Sequence, residues 1–251
     1  MQTYSLVFLD IDGTLLDSNH QVMPKTKQIL NRLEKRGIPI ILCSARSPGG
    51  VETVEKQAGI HGPIVCYGGS LILTSERSIL ADEGIRKETA AAFRQFVLKH
   101  FPEVVLNAYI YDVWLVDDVN HPVVQREARI SQCTPLAGSL QSASENVPHI
   151  HKLLAISSQQ QITKLQNMAA KKFPELTLVR SGPTYLEVMP QGVSKRKAVE
   201  RLQEYYGVSQ AEIVAFGDNF VDLDMLQYAG LGVAMGNAPE PVKEAAAKCQ
   251  C

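Results

Sequence analysis

The chain is short of several things. It has one tryptophan, and its five cysteines, Cys43, Cys66, Cys133, Cys249 and Cys251, are odd in number and scattered. That pattern excludes a disulfide framework and points to a reducing compartment. Cys249 and Cys251 alone are too few for a structural zinc site. The 25 basic and 26 acidic residues leave a net charge of −1, so no strong pull toward nucleic acid or an anionic membrane is expected. No apolar run approaches the roughly 20 residues a membrane helix needs. The N-terminus lacks a basic stretch followed by an apolar segment and a small-residue cleavage site. A cytoplasmic protein is the expectation.

What is present is an ordinary globular composition. The 251 residues, 45% hydrophobic and 20% charged, suffice for one large domain or two modest ones. The stretch that organises the rest is Tyr4 to Thr14. Leu6 to Leu9 is a continuous apolar run, as suits a strand buried on both faces. It stops at Asp10 and Asp12, whose i, i+2 spacing in an extended chain puts both carboxylates on one face. Gly13 then permits a turn. Ligands of open parallel sheets bind at the carboxyl ends of the strands. Two close carboxylates repel unless a cation lies between them, and a hard divalent ion such as Mg2+ suits oxygen ligands.

Asp10-Ile11-Asp12-Gly13-Thr14 after an apolar strand resembles the first motif of the haloacid dehalogenase-like phosphohydrolases. The resemblance implies that Asp10 is a nucleophile and Asp12 a general acid/base.

In chain order, Pro24 opens a helical pattern that Gly37 closes, and Ile38 to Cys43 reads as a second buried strand ending at Ser44-Ala45-Arg46-Ser47. Ser47-Pro48 starts the next helix, and Ile64 to Tyr67 is a third strand before Gly68-Gly69. This alternation is the rhythm of a parallel sheet with right-handed crossovers. From about Gly84 it changes. A helix near residues 86–100, paired strands at Val104–Leu106 and Val113–Val116, and a helix near 121–131 follow. Gln132 to Pro148 offers one short strand; then come a strand at His151–Ser157, a helix through Phe173, and strands at Leu176–Val179 and Tyr185–Val188. The first rhythm resumes with a helix capped by Ser194, a strand Ile213–Phe216 ending at Gly217-Asp218-Asn219, a strand Leu231–Met235 and a helix from Pro239. The expected fold is α/β: a Rossmann-like parallel-sheet core over residues 1–83 and 189–251, with an α+β insert over 84–188.

If the core strands are parallel, their carboxyl ends share one edge, where Asp10, Asp12, Ser44, Lys195 and Asp218 can converge. That set supports phosphoryl transfer. Mg2+ held by Asp10, Asp218 and the Asp12 backbone carbonyl would offset repulsion between a carboxylate and a phosphate dianion. Lys195 and the Ser44 hydroxyl would bind phosphoryl oxygens. Asp10 would attack phosphorus, and Asp12 would serve the leaving alcohol and then the attacking water. Asn219 and Asp222 are candidates to orient Lys195 and metal-bound water.

The resemblance extends along nearly the whole chain. Gly192-Val193-Ser194-Lys195 is similar to the family's third motif and Gly217-Asp218-Asn219-Phe220-Val221-Asp222 to its fourth, while Gly236-Asn237-Ala238 matches a trailing segment. The insert resembles the C2-type cap of the Cof-like sugar phosphatases. A mobile cap and a small phosphorylated metabolite as substrate are implied. Gly68 and Val221 stand where relatives usually have Asn, and the chain ends at Cys251, short of a stretch common in relatives. Those departures bear on specificity and edge packing rather than on the acids. Within the insert, Tyr109, Tyr111 and Trp114 read as its core or a sheet face. Alternative readings are a phosphomutase, which returns the phosphoryl group to its substrate, and a non-catalytic metabolite-binding regulator.

Overall fold

The computed structural model of the chain describes residues 4–131, 133–138 and 148–249. It divides into two compact units, Met1–Asp82 with Ser194–Cys251, and Glu83–Val193. Among the described residues no helix is long and apolar enough to cross a membrane.

The first unit is built on an eight-stranded sheet. Its strands are β1 (Leu6–Asp10), β2 (Ile40–Cys43), β3 (Ile64–Cys66), β4 (Leu71–Leu73), β5 (Ile79–Asp82), β14 (Ile213–Gly217), β15 (Leu231–Ala234) and β16 (Lys248–Cys249). The order is β16-β15-β14-β1-β2-β3-β4-β5, and every pair from β16 to β3 is parallel. From β1 the chain runs one way to β2 and β3, and β14 and β15 extend the other way. The strand order therefore reverses at β1, and such a reversal opens a crevice at the carboxyl ends of the two central strands.

The alternation of β1 decides what stands beside the first acid. Leu6 and Phe8 join a core with Ala198, Val199 and Leu202 of the helix Lys195–Tyr206. Asp10 continues the same face by the two-residue period of a strand. Lys195, three and four residues before Ala198 and Val199, lies on the same side of its helix. The pattern of β1 thus aims a carboxylate at the first turn of that helix.

The structure adds to two expectations. Beside the expected parallel strands, β4 and β5 form an antiparallel hairpin at the edge of the sheet. Leu71–Leu73 is too short to declare itself by periodicity, and the tight turn carries Arg77 at φ 63°. Asp10 and Asp12 also have different surroundings. Ladder pairing of β1 ends at Asp10 against Cys43, the chain turns at Gly13, and Asp10 is buried whereas Asp12 is exposed.

The second unit holds a six-stranded sheet, order β12-β13-β11-β7-β8-β9, and a two-stranded pair β10-β6. The strands are β6 (Ile85–Arg86), β7 (Val105–Ile110), β8 (Val113–Val116), β9 (Pro135–Ala137), β10 (His149–Ile150), β11 (Lys152–Ile156), β12 (Leu176–Gly182) and β13 (Tyr185–Pro190). Phe93, Phe96 and Val97 of the helix Lys87–His100 and Ile162 and Leu165 of the helix Gln159–Lys172 form one core with Leu153, Ala155, Leu186 and Val188 of the sheet. Trp114 and Val116 pack with Val124 of the helix Pro122–Ser131 in a separate cluster. Trp114 is a core residue, as its reading allowed. Its indole N–H donates to Asn107 Oδ1 at 3.0 Å, and Asn107 donates to the Leu154 carbonyl at 3.0 Å. Of Gln132–Pro148, the expected short strand is Pro135–Ala137, and residues 132 and 139–147 lie outside the described residues.

Candidate functional site

The groups that meet in the first unit come from the ends of β1 and β14 and the start of one helix. Ser194 caps that helix, its hydroxyl accepting the Lys197 N–H at 3.4 Å. Lys195 therefore occupies the first helical position, where a cation opposes the helix dipole. The offset is two carboxylates. The Lys195 ammonium donates to Asp10 Oδ1 at 2.6 Å and to Asp222 Oδ1 at 2.5 Å. All three side chains are buried. Burial alone would lower the lysine's pKa, but Asp10 and Asp222 outweigh it and hold the ammonium charged well above its usual range.

Asp10 responds in the other direction. Burial is the largest effect and pushes its carboxyl from 3.8 to about 7; Lys195 opposes this, and Asp222 and Asp218 add to it. Among the described residues, Asp10 Oδ2 is a buried side-chain oxygen that has no hydrogen-bond partner.

The loop after β14 is shaped around Asp222. Its Oδ2 accepts the backbone N–H groups of Asp218 at 3.1 Å and Asn219 at 3.0 Å. Gly217 makes this possible: a Cβ there would stand 2.5 Å from Asp222 Cβ. Asp218 is half-buried, and burial foremost raises its carboxyl pKa. Thr14 Oγ1 donates to Asp218 Oδ1 at 3.1 Å, and Asn237 Nδ2 donates to Oδ2 at 2.9 Å. The same Asn237 nitrogen donates to the Gly13 carbonyl at 3.1 Å. Gly13 is doubly required, because its φ is +88° and a Cβ would fall 2.3 Å from Asp218 Oδ2.

Asp10, Asp218 and Asp222 each offer one oxygen, all within 4.8 Å of one another. Three buried or half-buried carboxylates face a single ammonium. A divalent cation fits that imbalance, and the orphaned Asp10 oxygen supplies a ligand atom nothing else uses. Of the three, Asp222 is the one whose oxygens meet the Lys195 ammonium and two backbone N–H groups.

The other expected residues are placed as follows. Ser44 is buried at the end of β2, beside β1, and its hydroxyl accepts the Arg46 N–H at 3.2 Å. The side chain of Asn219 accepts from Phe220 N at 2.7 Å, and it is Asp222 that accepts from the Lys195 ammonium. Asp12 stands outside the carboxylate cluster; Arg46 donates to both its oxygens, Nη2 to Oδ1 at 2.5 Å and Nε to Oδ2 at 2.9 Å. Sequence reasoning assigned no role to Arg46, Thr14 or Asn237. The available signals were the position of Arg46 two residues after Ser44 and the places of Thr14 and Asn237 within the first motif and the trailing segment.

Comparison with known proteins finds similarity along nearly the whole chain. The profile of the haloacid dehalogenase-like hydrolases matches residues 7–250. A Haemophilus influenzae protein carrying a provisional phosphatase name is 35% identical over 243 residues, covering 97% of this chain and 91% of its own. A Thermotoga maritima crystal structure superposes with a TM-score of 0.87 at 31% identity, covering 98% of this chain and 92% of the other. A haloacid dehalogenase-like hydrolase from Bacteroides thetaiotaomicron superposes with a TM-score of 0.90 at 26% identity, covering 99% and 94%.

Proposed function

The chain belongs to the haloacid dehalogenase-like hydrolases, and we propose that it is a Mg2+-dependent phosphatase of small phosphorylated metabolites such as sugar or cofactor phosphates, acting through an aspartyl-phosphate. One observation carries the reading. A buried carboxylate, Asp10, is held on one oxygen by Lys195 while its other oxygen lacks a partner, at the carboxyl edge of a parallel sheet.

Asp10, Asp218 and the backbone carbonyl of Asp12 would hold the cation. Bound there, Mg2+ supplies charge neutralisation that lets a carboxylate approach a phosphate dianion. The remaining steps belong to the chain. An ammonium has three N–H donors, and Lys195 spends two on Asp10 and Asp222, leaving one for a phosphoryl oxygen. The Ser44 hydroxyl can bind a second. Asp10 attacks phosphorus, the ester P–O bond breaks, and Asp12 gives its proton to the departing alkoxide. Asp12, now a carboxylate, takes a proton from the water that attacks the aspartyl-phosphate. The bond from phosphorus to Asp10 breaks and phosphate leaves. Asp10, Lys195 and Ser44 address the phosphoryl end of a substrate, and we read the inserted unit as a cap.

The test is phosphate release from p-nitrophenyl phosphate and a panel of phosphorylated metabolites, with Mg2+ and after chelation. Release is expected only with metal, and Asp10→Asn should keep the fold and lose turnover. Undiminished release by chelated enzyme or by Asp10→Asn overturns the reading. A phosphomutase would return the label to substrate rather than to free phosphate.

A further inference from the structure

We propose that Arg46 is a positioning residue for Asp12, fixing the plane of its carboxylate for proton transfer to the leaving group. The inference rests on Asp12 being the acid/base. Asp12 lies beyond the end of the β1 ladder, and its side chain is 51% exposed, so packing around it does little to fix its carboxyl group. Among the described residues, both hydrogen bonds its carboxylate makes come from Arg46. A two-point guanidinium–carboxylate pair fixes a plane, which a single contact does not. Each carboxyl oxygen has two lone-pair sites, so one on each remains free of Arg46, and the proton that Asp12 gives to the leaving group is carried at one of them.

Arg46 is itself held. Its N–H donates to Ser44 Oγ at 3.2 Å, and its carbonyl accepts the Tyr67 N–H at 3.1 Å. A Cβ at Gly50, in the first turn of the helix Pro48–Ala58, would come 3.3 Å from Arg46 Cβ. Two poor helix formers, Gly49 and Gly50, thus begin a helix where the arginine passes close. The register explains the meeting. Asp10 pairs with Cys43 across β1 and β2, so the turns that follow carry Asp12 and Arg46 toward each other.

A misplaced acid is felt most by substrates whose leaving group needs a proton. The experiment measures kcat/KM for phenyl phosphates substituted from p-nitro to p-methoxy, which reports the first phosphoryl transfer and not the later hydrolysis. Wild type should show a shallow dependence on leaving-group pKa. Arg46→Ala should steepen it, losing about tenfold more on the p-methoxy than on the p-nitro ester, as a partial loss of general-acid catalysis predicts. Arg46→Lys keeps the charge but not the two-point geometry and should also be steeper than wild type. Its thermal midpoint and its p-nitrophenyl phosphate turnover report folding. A wild-type slope in either arginine variant, beside a steep slope in Asp12→Asn, overturns the proposal. A wild-type slope in Asp12→Asn instead overturns the assignment of Asp12 on which it rests.

Discussion

Asp222 binds Lys195 with one oxygen and the loop of Asp218 with the other. Its Oδ1 lies 2.5 Å from the ammonium, and its Oδ2 accepts the N–H groups of Asp218 and Asn219 at 3.1 and 3.0 Å. One buried carboxylate thus couples the helix that begins at Lys195 to the end of β14. Removing either partner of a buried ion pair leaves an uncompensated charge, and that costs more than the pair is worth.

Asp222→Asn makes this measurable. The amide offers one acceptor where two are used, and its NH2 must face either the ammonium or the two backbone N–H groups. A loss of roughly 1–3 kcal/mol of stability is expected from an unsatisfied buried group. A fall in kcat/KM of about 10–100-fold should accompany it, as for groups that orient metal ligands. Denaturant unfolding and steady-state kinetics read the two effects. Wild-type values in both would remove Asp222 from its proposed role.

The raised pKa of Asp10 sets a dependence on pH. Its carboxyl is pushed up from 3.8 to about 7, chiefly by burial. Across that window the folded, metal-free protein holds a proton that the unfolded chain has released. The folded state then binds more protons, so stability falls as pH rises and the contribution is lost through the folded pKa. The melting temperature of chelated wild type should therefore drop between about pH 4 and 7 more than that of Asp10→Asn. Added Mg2+ should reverse the trend, because a cation favours the ionised carboxyl. Parallel melting curves for the two chelated proteins would contradict a buried, titrating Asp10.

Asn237 ties two segments that the ion would join. One amide nitrogen reaches both Asp218 Oδ2 and the Gly13 carbonyl. Asn237→Ala should weaken Mg2+ binding about tenfold, with kcat at saturating Mg2+ falling less, as for other residues that orient ligands. Calorimetric titration of Mg2+ into the substrate-free protein is the check. Unchanged affinity would leave Asn237 as a loop fastener only.

Much of this was legible because it is local. The apolar run Leu6 to Leu9 encodes a buried strand in its own residues, and Ser194 caps the helix start that puts Lys195 in place. Gly217-Asp218 marked the end of β14 in the same way. Such signals span a few residues and need no knowledge of neighbours. What the sequence left open were the partners. Lys195 finds Asp10 across 185 positions, Asn237 finds Gly13 across 224, and Arg46 finds Asp12 across 34. Asp222 read from the sequence only as a candidate to orient Lys195 and metal-bound water; its burial against Gly217 and Lys195 comes from packing across the chain. The i, i+2 spacing of Asp10 and Asp12 suggested shared surroundings, and the end of ladder pairing at Asp10 separated them. The sequence by itself determined the longer elements of the core and which carboxylates stand at their ends. The tertiary structure decided which charge each carboxylate faces, because that follows from strand order and register, which no short stretch of chain encodes.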